Sequence, residues 1–229
     1  MIVAAPLYNV NLRFPNTTLR AEHSLLRFDN VTAYAAGDTP MTLGGDVDFS
    51  QLDNVSLNLR LKANDFQLIN APRTRNALMY GKMFVDLNAF ARGTLDNLKL
   101  RGSLKVLGKT DVSYVLEGSA ISSEDNMDEL ITFTDFSYTA KVEVEEVKVH
   151  NIDMQMNVSV DQSTQVHVLL NEGGSDRIDL QGGGEMTINY DQQNELRPYG
   201  RYVILDGSLH YSLMGIPLNN FTISNGSSV

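Results

Sequence analysis

Few residues of this chain have the types and the spacing that catalysis or metal binding requires. The four histidines, His23, His150, His167 and His210, lie far apart in the sequence, and none has a partner at the spacing of metal ligands. The chain contains no cysteine, which excludes both disulfides and thiolate ligands. We therefore expect no metal ion and no cofactor.

Three consecutive glycines, Gly182–Gly184, have the composition of a phosphate-binding turn. Such a turn needs a helix directly after it, whereas residues 186–190 continue an alternation typical of a strand. Glycines inside a strand favour a bulge or a corner. The acid pair Glu143 and Glu145 lies on one predicted strand face without an opposing wall, which is typical of solvated carboxylates. These features predict that the protein is not an enzyme.

The charge distribution argues against nucleic acid as a partner. Residues 1–110 carry 13 Lys/Arg against 9 Asp/Glu, whereas residues 111–196 carry 3 against 18, within a net charge of −10. Phosphate backbones are bound by clustered Lys and Arg, so a strongly acidic middle excludes this class of partner.

The elements that would position side chains are β-strands. Residues 152–161 alternate strictly, with Ile, Met and Val at even positions and polar residues at odd positions. The same alternation returns at residues 55–62, 98–106, 166–170 and 178–190. Residues 64–80 and 119–136 interrupt it and predict one or two short helices or loops. The fold class is therefore mainly β: an elongated, curved antiparallel or mixed sheet, taco-like or solenoid-like, with an apolar interior groove.

Three stretches near the end carry a family resemblance: Asp176–Ile188, Leu196–Tyr211 and Asn220–Val229. They show an acidic strand leading to Gly-x-Gly, a Tyr-x-Ile-x-x-Gly-x-x-x-Tyr pattern and a Phe-x-Ile-x-x-Gly-Ser segment. This order resembles the C-terminal domain of the TamB family, and Ile152–Leu170 resembles its preceding strand pair. Leu61–Asn70, Tyr80–Lys82, Arg92–Leu98 and Leu107–Tyr114 are similar to the version found in Bacteroidetes.

The resemblance implies a taco-shaped sheet in the periplasm of a Gram-negative bacterium. It also implies an inner-membrane anchor outside this chain, phospholipid acyl chains as cargo and an Omp85-type outer-membrane barrel as partner. On this basis residues 1–118 form the N-terminal part of a β-rich shaft and residues 119–136 an acidic loop or short helix. Residues 137–229 form a C-terminal TamB-like domain, in one continuous structure.

Two functions fit these expectations. In the first, the protein is a lipid-transfer module of outer-membrane biogenesis whose apolar groove holds acyl chains. The expected groove residues are Leu57, Leu59, Leu98, Leu100, Met154, Met156, Val158, Ile178, Leu180, Met186 and Ile188. In the second, the apolar face is the dry core of a closed sandwich or barrel, and the protein is a structural module that docks an Omp85-type barrel through an exposed strand edge.

Overall fold

A computed structural model gives the fold and describes residues 2–15, 19–74, 77–116, 152–171, 173–190, 196–213, 216–217 and 220–228. The strands are β1 (Ile2–Ala5), β2 (Val10–Arg13), β3 (Arg20–Glu22), β4 (Leu25–Ala33), β5 (Met41–Asp48), β6 (Ser56–Ala71), β7 (Met79–Thr94), β8 (Asn97–Val106), β9 (Asp111–Val115), β10 (Ile152–Val160), β11 (Gln165–Leu169), β12 (Arg177–Tyr190), β13 (Leu196–His210), β14 (Ser212–Leu213), β15 (Ile216–Pro217), β16 (Phe221–Thr222) and β17 (Ser227–Ser228). The helical segments within these ranges are two single-turn 3-10 helices, Pro6–Tyr8 and Leu52–Asn54.

Thirteen of the strands form one sheet. Its main path runs β16-β13-β12-β10-β8-β7-β6-β5-β4-β3, with β9, β11 and β17 attached beside it. Most neighbours are antiparallel, but β8 lies parallel to β10 and β9 lies parallel to β11. The prediction of a mainly β, mixed sheet is therefore confirmed. The expected helix or loop at residues 119–136 lies outside the described residues.

The predicted interruption at residues 64–80 is wrong for its first half. Strand β6 continues to Ala71 and pairs with β7, so the connection between the two strands starts after residue 71. The pairing register shifts between Ala63 and Phe66 and again between Gln67 and Ile69. Because a β-bulge changes the face on which the following side chains lie, the alternation is lost from the sequence while the strand continues. Phe66 and Ile69 are 2% and 1% exposed, so both are core residues.

The long strands β7 and β12 are bridged by two tiers of shorter strands. One tier contains β8 and β10, and the other contains β9 and β11. Leu98 pairs with Ile152 in the first tier, and Val115 pairs with Leu169 in the second. The two members of each pair are 54 residues apart in the sequence. Two chain segments of the same shape are therefore stacked in parallel, which is a solenoid-like arrangement inside the sheet.

Two buried threonines hold the corner between the tiers. Where the chain leaves β8 for β9, the Thr110 hydroxyl accepts a hydrogen bond from the Phe84 N–H at 3.1 Å and donates to the Phe84 carbonyl at 3.2 Å. Thr164 has the equivalent place between β10 and β11, with its hydroxyl 3.5 Å from the carbonyl of Leu107. Both threonines are 1% exposed. Their hydroxyls supply hydrogen bonds where the strand ladder is interrupted.

The buried core lies on one face of the sheet. A first cluster, at the β4–β6 end, contains Ala33, Ala35, Met41, Ala63, Phe66 and Val85. Leu12 of β2 and the nearby Phe14 pack against it, so the N-terminal segment covers this end of the face. A second cluster, centred on Ala89, Met156 and Val158, lies where β7, β8, β10 and β12 meet.

Candidate functional site: an apolar trough

The strand registers align apolar side chains into rungs that cross the sheet, because residues directly opposite each other on neighbouring strands share a face. One rung runs Leu59–Ala91–Leu100–Met154 across β6, β7, β8 and β10. The neighbouring rungs are Leu57–Gly93–Leu98–Ile152, Leu61–Ala89–Gly102–Met156–Ile188 and Ala63–Leu87–Leu104–Val158–Met186. These four rungs form a continuous apolar surface, which we call the trough.

The eleven residues expected to line a groove fall on this face. Nine of them belong to the four rungs: Leu57, Leu59, Leu98, Leu100, Met154, Met156, Val158, Met186 and Ile188. The other two, Ile178 and Leu180, lie farther along β12, opposite Val168 and Val166 of β11. Strand alternation places them on the same side as Met186. Their role as lipid contacts stays a prediction.

Most side chains of the trough are half-buried. Met156 and Val158 are 9% and 8% exposed, whereas Leu57, Leu98 and Leu100 keep more contact with solvent. In a two-sheet sandwich, the inner face of each sheet is covered by the other sheet and packed at crystal-like density. Over the described residues, the trough is thus more open at Leu57, Leu98 and Leu100, in the rungs farthest from the buried Ala63.

Strand β7 contributes trough residues that were missed in the sequence. Leu87, Ala89 and Ala91 occupy the centre of the rungs, and the two alanines are 4% and 7% exposed. The alternation here is obscured by Phe90, a large apolar residue that is 51% exposed on the opposite face. Because the alanines and Gly93 are small, the side chains of β7 rise less far above the sheet than the larger side chains of β6 and β10.

One phenol on this face lacks a hydrogen-bond partner. Tyr202 of β13 lies opposite Gly184, which itself lies opposite Val160 of β10, so the tyrosine shares the face of the trough. Its hydroxyl is buried and makes no hydrogen bond with any described residue. Burial raises the pKa of Tyr202. Within the described residues, no polar group therefore lies within hydrogen-bonding distance of this hydroxyl.

The opposite face of the sheet carries charged pairs. Arg101 of β8 and Asp153 of β10 lie 2.7 Å apart, and the hydrogen bond from Arg101 lowers the pKa of Asp153. Lys109 and Asp65 form a second ion pair. The two faces therefore differ as the alternation predicts, with one apolar and one solvated.

Two histidines that are far apart in the sequence meet at one aspartate on this outer face. His167 Nδ1 lies 2.6 Å from Asp179 Oδ1, and its Nε2 lies 3.2 Å from an oxygen of Asp111. His210 Nε2 lies 3.2 Å from Asp179 Oδ2, to which Arg177 Nε donates at 3.0 Å. Burial raises the pKa of Asp179, but hydrogen bonds from His167 and Arg177 outweigh it and hold that pKa below its usual range. The strand register, which local spacing does not reveal, creates this cluster.

The cluster lacks the geometry of a catalytic triad. His210 presents the same nitrogen, Nε2, to the Ser208 hydroxyl at 3.1 Å and to Asp179 at 3.2 Å. A triad places the nucleophile and the orienting carboxylate on different ring nitrogens. Within the described ranges, no group of three or more His, Asp or Glu side chains is arranged to hold a metal ion. What these contacts do is join β9, β11, β12 and β13.

The family comparison agrees with the fold. A family model described as the TamB C-terminal domain matches residues 29–229, which include every expected trough residue. The comparison with curated proteins found no match, and neither did the comparison with solved structures. No helix in the described part of the chain is long and apolar enough to cross a membrane. Because the family model covers nearly the whole chain, the protein belongs to the TamB family, whose members are non-enzymatic assembly and transport modules of outer-membrane biogenesis in the Gram-negative envelope.

Proposed function

We propose that the trough holds phospholipid acyl chains in the periplasm while their head groups stay in water. The observation that supports this function is an apolar face that is continuous across the sheet yet only half-buried. One rung continues from Val31 on β4 to Pro198 on β13, which are separated by seven strand-to-strand steps. At about 4.8 Å per step the rung is about 34 Å long. A single leaflet has a hydrocarbon depth of about 15 Å, half of a bilayer core, so the trough exceeds one chain length.

The hydrophobic effect gives the magnitude of the attraction. Each buried CH₂ contributes about 0.8 kcal/mol, so a chain with about twelve buried CH₂ groups gains roughly 10 kcal/mol before ordering costs. The rungs contain no charged residue, so a chain that slides along them exchanges one apolar contact for another. Three of the expected lining residues are methionines, Met154, Met156 and Met186, whose flexible side chains adapt to an irregular ligand. In this proposal, the chain belongs to a longer protein whose inner-membrane anchor lies outside these residues.

The test is site-specific photo-crosslinking in cells, in the full-length protein, with a probe at Met154 or at Gln155. Met154 lies on the trough face, and its neighbour Gln155 lies on the outer face between Arg101 and Asn189. Lipid adducts are expected at position 154 and not at position 155. Equal lipid labelling at both positions, or none at position 154, would contradict the proposal.

A second candidate function is docking to an Omp85-type barrel, the kind of partner with which the TamB family works. The long strand β13 favours it. On the side away from β12, the ladders of β13 with described strands involve Val203–Ile204 and Ser208–Leu209. The edge of a long strand is a site for strand addition by another protein. In the same crosslinking experiment, protein adducts at position 155 with no lipid adducts at position 154 would favour docking.

A further inference from the structure

A groove on the outer face of the sheet has cationic groups that the trough does not use. It lies where β7 and β12 begin and β9 and β11 end, and its volume is about 360 Å³. Its lining includes Arg73, Tyr80, Ser113 and Arg177. Strand alternation places Tyr80 and Ser113 on the face opposite to the trough, since Gly81 and Val112 next to them continue the trough face.

Arg73 brings a positive charge that no described carboxylate balances. Its guanidinium carbon lies 6.0 Å from the centroid of the Tyr80 ring, at the outer limit of a cation–π contact. Within the described ranges, no Asp or Glu oxygen lies within 4.0 Å of its guanidinium. The exposed Arg73 therefore brings a positive charge without a carboxylate partner to the lining of the groove.

Arg177 is the second cation of the groove. It donates to Asp179 through Nε at 3.0 Å, and among the described residues its two terminal nitrogens have no hydrogen-bond acceptor. Asp179 is also in contact with His167 and His210, at 2.6 Å and 3.2 Å. Both of its carboxylate oxygens are therefore engaged by Arg177 and the two histidines, and neither forms an ion pair with Arg73.

A glycine keeps the guanidinium of Arg73 accessible. Gly174 has a φ of +73°, and a Cβ built on it would lie 3.2 Å from Arg73 Nη1 and 3.2 Å from a methyl carbon of Leu169. Any side chain here would press on the guanidinium and strain the backbone. The absence of a side chain leaves the groove open above Arg73.

We propose that this groove binds a phosphate group, with Arg73 and the terminal nitrogens of Arg177 as donors. A planar guanidinium offers a fork of N–H groups that matches two oxygens of a phosphate. Arg73 supplies a charge without a carboxylate partner, and Arg177, whose charge Asp179 offsets, supplies further N–H donors. The Ser113 hydroxyl is available in the same lining as a further donor. The phosphate belongs either to a free phosphate ion or to a phospholipid head group. This site lies outside the trough, so it is independent of the proposed function.

The experiment titrates the folded protein with two probes: inorganic phosphate, and phosphatidic acid with two six-carbon chains below its micelle concentration. Binding is followed by NMR of the arginine side-chain Nε–H groups. In the unaltered protein, the signals of Arg73 and Arg177 are expected to shift with saturation. Arg73→Gln is expected to weaken binding by about tenfold or more, the loss of a charge-assisted hydrogen bond. The matched control is Arg92→Gln on the same outer face, where the Arg92 guanidinium donates hydrogen bonds to the side-chain oxygen of Asn58.

The outcomes distinguish a free phosphate ion from a phospholipid head group, and the phosphate site from the trough. Equal binding of the two probes identifies the phosphate ion as sufficient, whereas binding of the lipid alone identifies a head group with its chains. Two results would overturn the phosphate site. The first is that the arginine signals shift with neither probe, and the second is that Arg73→Gln and Arg92→Gln lose the same amount of affinity. Lipid adducts at position 154 are expected to persist in Arg73→Gln, so failure here is distinguishable from failure of the trough.

Discussion

Thr110→Val tests whether a single buried hydroxyl holds the corner of the sheet. Valine has nearly the same shape, so the substitution removes the hydroxyl with little change in packing. The Phe84 N–H then loses its acceptor at 3.1 Å, whereas the Phe84 carbonyl still accepts from the Leu107 N–H at 2.9 Å. One buried donor without a partner costs about 1–3 kcal/mol. For a chain of 229 residues, this corresponds to a fall in Tm of about 2–12 °C.

Two other threonines calibrate this effect. Thr164→Val is expected to cost less, because its hydroxyl lies 3.5 Å from its acceptor, at the limit of a hydrogen bond. Thr42→Val is the control, since the Thr42 hydroxyl donates to the Lys62 carbonyl at 3.1 Å in an exposed position, where water replaces the donor. We expect the destabilisation to follow the order Thr110, Thr164, Thr42.

The assay is urea unfolding followed by circular dichroism, together with amide hydrogen exchange at Phe84. In Thr110→Val, exchange at Phe84 is expected to accelerate, because its N–H has lost the hydrogen bond. If Thr110→Val and Thr42→Val have free energies of unfolding within about 0.5 kcal/mol of each other, and Phe84 stays protected, the corner does not depend on this hydroxyl.

Three further predictions concern the two faces of the sheet. Met156→Arg places a charge at a position that is 9% exposed and should abolish lipid adducts of the probe at position 154. Asn157→Arg on the outer face should leave these adducts unchanged, and their loss in both variants would contradict a one-sided trough. The stabilisation from Asp179, whose pKa is lowered on folding, is present above the ordinary aspartate pKa of about 4 and is lost as the pH falls through the lower folded value. Acid unfolding monitored by circular dichroism should therefore be less steep in Asp179→Asn, and an unchanged profile would exclude this carboxylate as a contributor. Tyr202→Phe removes a buried hydroxyl without a partner and should leave the protein as stable or raise its free energy of unfolding by about 1 kcal/mol, whereas a clear loss would reveal a partner.

Strand identity and face were predictable where alternation is unbroken. Met154, Met156 and Val158 identify β10 and its apolar side, because the side of a strand residue depends only on whether its position is odd or even. The same holds for Leu57 and Leu59 at the start of β6. Beyond Ala63 the rule fails, since each bulge shifts the pattern by one residue and leaves no local signal.

Strand neighbours were not predictable from local pattern. One neighbour of β10 is β8, whose paired residues precede it by 54 positions, as Leu98 and Ile152 show. The same limit hid the contacts of His167 with Asp179 and Asp111, because each residue occupies an ordinary polar position on its own strand. Such contacts depend on register between strands, and register follows from the pairing of the whole sheet.

Parallel stacking places apolar pairs on both sides of the corner between the tiers. Val106 pairs with Val160 before the corner, and Val112 pairs with Val166 after it, so the same apolar pairs occur on either side. Strands β7 and β12 run past the corner on both flanks, and their alternation keeps one face apolar throughout. Because the stacked segments keep the same 54-residue offset in both tiers, the face that is apolar in one tier is apolar in the next. Between the two tiers, the buried hydroxyls of Thr110 and Thr164 are engaged with the backbone carbonyls of Phe84 and Leu107, so the corner is polar only where its own backbone needs a partner.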